Sequence, residues 1–174
     1  MVIASRRPPE ALVPLAEAIG PTVRPMSVGD AIKAEIILLA VPFWAHQEIA
    51  KAAANWHGKV VVDVTNSLGV SPEELDDLPS SVVVAKAFAG ANLVKGFNHL
   101  PAWVLAMDPN VNGGRRVIFL SGDDESATAR VAALVERLGF APVGLGKLAQ
   151  GAPLVQARRR AWEPLIFQDL IKFN

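Results

Sequence analysis

The chain holds 174 residues, a length that fits one compact domain with a sizeable core, since single domains commonly run to about 100–150 residues. Lys and Arg total 17 and Asp and Glu total 17, so the formal charge is zero and nothing in the balance favours nucleic acid or another polyanion as a partner. Hydrophobic residues make up 51%, yet the longest apolar run, residues 36–43, is broken by Pro42 and falls far short of the ~20 residues a spanning helix needs, so no membrane segment is expected.

Two absences narrow the chemistry. Without cysteine there is no disulfide framework, thiolate nucleophile or Cys-based zinc site, and a cytoplasmic location is expected. Without tyrosine, reductases that use a Tyr phenol as proton donor are excluded. His46, His57 and His99 lie far apart and fit no metal-ligand spacing, so no metal is expected. The opening residues carry no long apolar stretch and begin directly on a strand-like pattern, unlike a signal peptide.

Residues 2–4 read as a brief strand. Residues 9–19 place Leu12, Leu15, Ala16 and Ile19 at helical spacing ahead of Gly20, with Pro14 inside the helix. Residues 22–24 suit a short edge strand, and Ser27 can cap a helical turn running to Lys33. Residues 34–41 are apolar on both faces, like a strand buried in a parallel sheet. An Ala-rich helix is expected over 44–55, and residues 59–65 form a second buried strand with a solitary Asp63. Pro79, Ser80 and Ser81 before and Gly90 after frame a helix, although residues 82–84 alone would suit a strand. Residues 93–97 are the next strand, followed by a loop or short helix through Met107 and a turn at 112–114. After a strand over 116–120, Asp124 caps a helix in which Val131, Leu134, Val135 and Leu138 form an apolar stripe closed by Gly139. Residues 140–143 are the last strand, and the tail over 153–172 is expected to be helical in parts, with Leu165, Ile166, Phe167, Leu170 and Ile171 apolar.

Strands alternating with helices imply a doubly wound, mostly parallel α/β sheet, in which ligands bind beyond the carboxyl ends of the strands. Ser5, Arg6 and Arg7 put a hydroxyl and two guanidinium groups at the first such end. That set suits a phosphomonoester and, in a dinucleotide fold, the 2′-phosphate that distinguishes NADP from NAD. The alternative is a solvated basic turn. Ala40, Val41 and Pro42, followed by Phe43 and Trp44, end a buried strand with an apolar wall suited to a ribose or nicotinamide face, or make an ordinary strand-to-helix turn. Asn66, between Thr65 and Ser67, could orient a cofactor amide or satisfy turn backbone groups. Asp63 reads as a hydrogen-bonded structural carboxylate ahead of a perturbed acid. His46 could face the crevice and His57 suits a surface or packing position, while His99, beside Asn98 at a strand end, is the better functional candidate. Arg158–Arg160 read as a solvated or interface face. Gly144, Gly146 and Ala149 match a GxGxxA pattern, but are expected only to end the last strand.

Taken in order, Ser5-Arg6-Arg7, Leu39-Ala40-Val41-Pro42, Val62-Asp63-Val64-Thr65-Asn66, Val94-Lys95-Gly96-Phe97-Asn98, Ser121-Gly122-Asp123-Asp124 and Leu138-Gly139-Phe140 resemble the NADP oxidoreductases related to coenzyme F420-dependent NADP reductase. The same domain type resembles the NADPH-binding part of membrane metalloreductases. The resemblance implies a Rossmann-like fold in which Ser5, Arg6 and Arg7 hold the 2′-phosphate of NADP and Ala40, Val41 and Pro42 line the cofactor. It also implies that residues 97–102, with Asn98, His99 and Ala102, lie near the nicotinamide. Such proteins pass a hydride between NADP(H) and a flavin or deazaflavin, a step that needs positioning more than a protein acid. No catalytic residue is assigned.

The family's strand, GxGxxG loop and helix that come ahead of the segment beginning here at Val2 are not in this sequence, so the domain is expected to be truncated at its N-terminus. The missing strand would lie between the first and third strands present, leaving about 9–10 Å, two strand spacings. Truncation, filling by another segment or subunit, and direct closure of the two halves all remain open. The expected organisation is a NADP-binding domain over 1–150 and a helical extension over 151–174 packing on it or on a homodimer partner. The expected function is NADP-dependent reduction of a small-molecule redox acceptor; the alternative is a non-catalytic remnant serving as a binding or structural subunit.

Overall fold

The computed structural model describes residues 1–156 and 170–173. In chain order it runs β1 (Val2–Ile3), α1 (Val13–Ile19), β2 (Arg24–Pro25), α2 (Val28–Ala31), β3 (Ile36–Leu39), α3 (His46–Ala50), β4 (Val60–Asp63), α4 (Ser80–Ala87) and β5 (Asn92–Gly96). The second half holds α5 (Ala102–Leu105), β6 (Asn110–Val111), β7 (Gly114–Gly122), α6 (Glu125–Arg137), β8 (Ala141–Gly144), α7 (Leu148–Val155) and β9 (Ile171–Lys172). The main sheet has the order β3-β4-β5-β7-β6, with β8 and β9 also on β7. Strands β3, β4 and β5 are mutually parallel, as are β7 and β8.

The α/β sheet is doubly wound, and the period-2 alternation of its strands shows why. On β4, Val61 packs with Trp56, Val84, Phe88 and Leu148 on one face. Its neighbours Val60 and Val62 pack with Ile118, Leu120, Val131 and Val135 on the other. A strand walled by helices on both sides can therefore be Val-rich at every position.

Several elements differ from the expectations. The first helix divides at Pro14 into a 3-10 turn over Pro9–Leu12 and α1, because proline offers no amide to continue an α-helical ladder. The helix expected over 44–55 is a 3-10 turn at Phe43–Ala45 followed by α3, which ends at Ala50. There the buried Trp56 indole donates to the Ala50 carbonyl at 2.9 Å and supplies the partner that a further turn would have given. Strand β7 is antiparallel to β5. The chain between them turns back through α5 and a hairpin whose Asn112 and Gly113 both have positive φ, the geometry of a two-residue turn. Residues 171–172, expected as part of a helical tail, form β9 and pair antiparallel with Arg115 and Arg116 of β7, whose edge amides and carbonyls need partners. Arg158–Arg160, Leu165, Ile166 and Phe167 lie outside the described residues.

Strands β1 and β2 form their own two-stranded parallel sheet, apart from the main one. Strand β1 does not pair with β3, so direct closure of the halves is overturned. Each strand keeps one edge that pairs with no other strand among the described residues.

Asp124 caps α6 as expected, its Oδ1 accepting the Ala127 amide at 2.7 Å. Asp124→Ala should lower stability by about 1 kcal/mol, read as a reduced urea midpoint with an unchanged slope. An unshifted midpoint would show that solvent replaces the cap.

Candidate functional site

The loop after β1 and the loop after β3 converge on a cavity of about 340 Å³, at the low end of the roughly 300–1,000 Å³ typical of small-ligand pockets. Ser5, Arg6 and Arg7 line it from the first loop, Ala40, Val41 and Pro42 from the second, and Ala45, Glu48 and Ile49 from the helical segment that follows. The Ser5 hydroxyl oxygen accepts the Arg7 amide at 3.0 Å, which folds the loop and leaves the hydroxyl hydrogen free to donate outward. No carboxylate is ion-paired with Arg6 or Arg7 among the described residues. The Arg6 guanidinium instead sits 4.9 Å from the ring centroid of Trp44. A hydroxyl and two exposed guanidiniums beside an apolar wall make a receptor for a phosphorylated nucleoside.

Of the other sequence-predicted residues, Asn66 and Asn98 lie just beyond the carboxyl ends of β4 and β5, next to a buried polar group of Asp63, Thr65 and Lys95. Parallel register sets Asp63 opposite Lys95, and the ammonium reaches the Asp63 carboxylate at 3.0 Å. Asp63 is 0% and Lys95 1% exposed. The other carboxylate oxygen accepts the Thr65 amide and hydroxyl at 2.9 and 2.7 Å, while Lys95 also donates to the Thr65 carbonyl. Burial pushes the Lys95 ammonium below its ordinary pKa, and the Asp63 charge opposes that shift. Asp63 is thus structural, as expected. The pairing of Lys95 with Asp63 was not expected from the sequence, although one charge in each of two adjacent apolar strands was the available signal.

Beyond this pair, the Asn66 amide donates to the Asn98 carbonyl at 2.8 Å. The Asn98 amide donates to Asn66 Oδ1 at 3.1 Å and to the Val155 carbonyl at 2.8 Å. Asn98 Oδ1 is buried and accepts from no group among the described residues. Ala102 is exposed at the start of α5. None of Asn66, Asn98, His99 and Ala102 is among the residues lining the cavity.

Two of the three histidines, His46 and His99, are buried, and His57 is exposed. His99 is fully buried, with Nε2–H donating to the Val117 carbonyl at 3.2 Å and the ring against Phe119. Desolvation lowers its pKa from 6.5 to about 4. The Nδ1–H of buried His46 donates to the Phe43 carbonyl, and His57 packs over Gly90. The GxGxxA segment does run from β8 into α7, but the Asp123 carboxylate already accepts the Leu148 amide at 3.0 Å. That negative charge opposes a phosphate at this helix end.

The profile described as NADP oxidoreductase coenzyme F420-dependent matches residues 1–67. The crystal structure of the hypothetical protein SMa0349 from Sinorhizobium meliloti is 36% identical, superposes with a TM-score of 0.87, and is matched over 99% of this chain and 83% of that one. Over residues 1–67 the chain belongs to the coenzyme F420-dependent NADP oxidoreductase family. A protein of Arthrobacter sp. FB24, provisionally assigned as an F420-dependent NADP reductase, is 27% identical with a TM-score of 0.70, over 88% of this chain and 78% of its own. Metalloreductase STEAP3 of Rattus norvegicus is 31% identical over 116 residues, which is 66% of this chain and 23% of the relative. The chain spans about a fifth of the length of the curated relatives it matches. No helix among the described residues is long and apolar enough to cross a membrane.

Two outcomes follow for this family member. Lys95→Met strands the buried Asp63 charge and should cost about 3–5 kcal/mol in urea denaturation, while adding Asp63→Leu should recover a large part of the loss. A single variant as stable as the double would show that Asp63 does not depend on Lys95. Folded His99 stays neutral down to about pH 4, whereas the unfolded chain protonates it below about pH 6.5. Its contribution to stability is therefore complete above pH 6.5 and falls by up to about 3 kcal/mol as the pH drops toward 4. His99→Gln should flatten the denaturation midpoint over that window; an unchanged slope would place the proton uptake on another group.

Proposed function

We propose that this chain is an NADP(H)-binding domain that positions the nicotinamide for hydride transfer to a flavin, deazaflavin or other small redox acceptor. The observation that carries the proposal is the convergence of Ser5, Arg6 and Arg7 with Ala40, Val41 and Pro42 on one cavity. A 2′-phosphate carries about two negative charges, which the two guanidiniums and the Ser5 hydroxyl match, while the apolar wall suits a ribose face. Membership of an NADP oxidoreductase family supports the same cofactor.

At the other end, the buried Asn98 Oδ1 is an acceptor that suits the amide hydrogens of a nicotinamide carboxamide. Asn66 fixes the Asn98 side chain for that role, and in this reading residues 97–102 lie near the nicotinamide. NADPH, when bound, supplies the hydride to the acceptor; this chain's residues bind and orient. The same reading takes the protein as a cytoplasmic homodimer, in keeping with the exposed Leu154 and Phe173 side chains.

Nicotinamide fluorescence during NADPH titration tests the proposal directly. Arg6→Ala should weaken NADPH by about 1.5–3 kcal/mol, the scale of a charge-assisted hydrogen bond, and leave NADH nearly unchanged. Equal losses for both cofactors would remove Arg6 from the 2′-phosphate, and no binding at millimolar NADPH would favour a non-catalytic binding or structural subunit.

A further inference from the structure

Trp44 is, with Trp103 and Phe173, one of the large aromatic side chains that stand exposed among the described residues. Its neighbour Phe43 turns inward and is buried with Leu39 and Trp56. Trp44 is 66% exposed on the 3-10 turn that Pro42 starts at the carboxyl end of β3. Exposing so large an apolar ring costs free energy unless another group uses it, and that group is the guanidinium of Arg6, 4.9 Å from the ring centroid. The contact joins the two loops that build the cavity, one following β1 and the other following β3.

A guanidinium has two separate recognition surfaces. Its flat face stacks on an aromatic ring, while its five N–H donors point outward in the plane. Stacking on Trp44 therefore consumes none of the donors a phosphate would use. An exposed arginine otherwise samples many rotamers and loses that freedom on binding. With no ion-paired carboxylate among the described residues, the indole is what restrains Arg6 before a ligand arrives.

We propose that Trp44 is a positioning residue that holds Arg6 over the cavity and so sets preference for a 2′-phosphorylated cofactor over its unphosphorylated counterpart. This rests on the reading of the cavity as the NADP 2′-phosphate site. Trp44 acts through Arg6 and needs no contact with the cofactor.

The test measures dissociation constants for NADPH and NADH by calorimetry on the wild type, Trp44→Ala, Trp44→Phe, Arg6→Ala and the Arg6→Ala/Trp44→Ala double variant. An exposed cation–π contact corresponds to about a two- to fivefold change in affinity. Trp44→Ala should weaken NADPH by that factor and leave NADH unchanged, Trp44→Phe should restore most of the loss, and Trp44→Ala should add nothing once Arg6 is alanine. Equal weakening of both cofactors, or the same loss with and without Arg6, would overturn the role given to Trp44. Sensitivity to Arg6→Ala with indifference to Trp44→Ala would overturn that role alone. NADPH binding that is absent, or unaffected by Arg6→Ala, would overturn the cavity reading and this proposal with it.

Discussion

An ammonium and a carboxylate taken out of water must find each other, because either alone costs several kcal/mol in a protein interior. In this chain that demand falls on Asp63 of β4 and Lys95 of β5, which are register partners in the middle of the sheet. A slip of one residue between these strands would turn every side chain to the opposite face and separate the two charges. The apolar positions around them are nearly interchangeable valines and leucines, which specify burial but discriminate poorly between registers. The ion pair therefore supplies the discrimination. It also reaches past the strand ends, since both partners bond Thr65, and the next residue, Asn66, meets Asn98 in the loop after β5.

A second constraint acts on the other half of the sheet. Strands β1 and β3 both deliver their carboxyl ends to one cavity, although they belong to separate sheets. Their relative placement cannot come from a shared ladder of hydrogen bonds. Loop contacts across the cavity, of which Arg6 on Trp44 is one, take on part of a task that backbone pairing performs between β3 and β4. Such contacts are individually worth about 1 kcal/mol or less at exposed positions, so this part of the fold is held more softly than the β4–β5 core.

Legibility in the sequence follows the same division. Where a strand is buried on both faces its apolar run is unmistakable: β3 and β4 fall inside the expected segments, and β5 begins one residue before its own. Caps with side-chain geometry were equally readable, as Ser27 and Asp124 show by accepting the amides of Asp30 and Ala127. What was unreadable depends on partners distant in sequence. The early end of α3 is set by the Trp56 indole, and β9 exists because β7 has an edge to fill. Among the candidate site residues, those following β1 and β3 line one cavity. His99 drew attention as a polar group at a strand end, yet strand ends also need buried donors to satisfy carbonyls such as Val117. Sequence position alone does not separate the two uses.

The two ends of the proposed cofactor site differ in how each meets the cost of charge. The cavity beside Arg6 and Arg7 is exposed and, among the described residues, no carboxylate is ion-paired with either guanidinium, so in the proposed role the positive charge stays hydrated until a phosphate replaces the water. The cluster at the ends of β4 and β5 is closed, and each titratable group in it is already committed: Lys95 to Asp63, and His99 to a neutral ring against Phe119. In the proposed reading, the carboxamides of Asn66 and Asn98 are the polar groups left there for a ligand. A carboxamide can orient a neutral ring without exchanging protons with it, which suits transfer of a hydride between two bound ring systems. Affinity then comes chiefly from the charged end and alignment from the neutral one, so that binding energy far from the reacting atoms is used to place them.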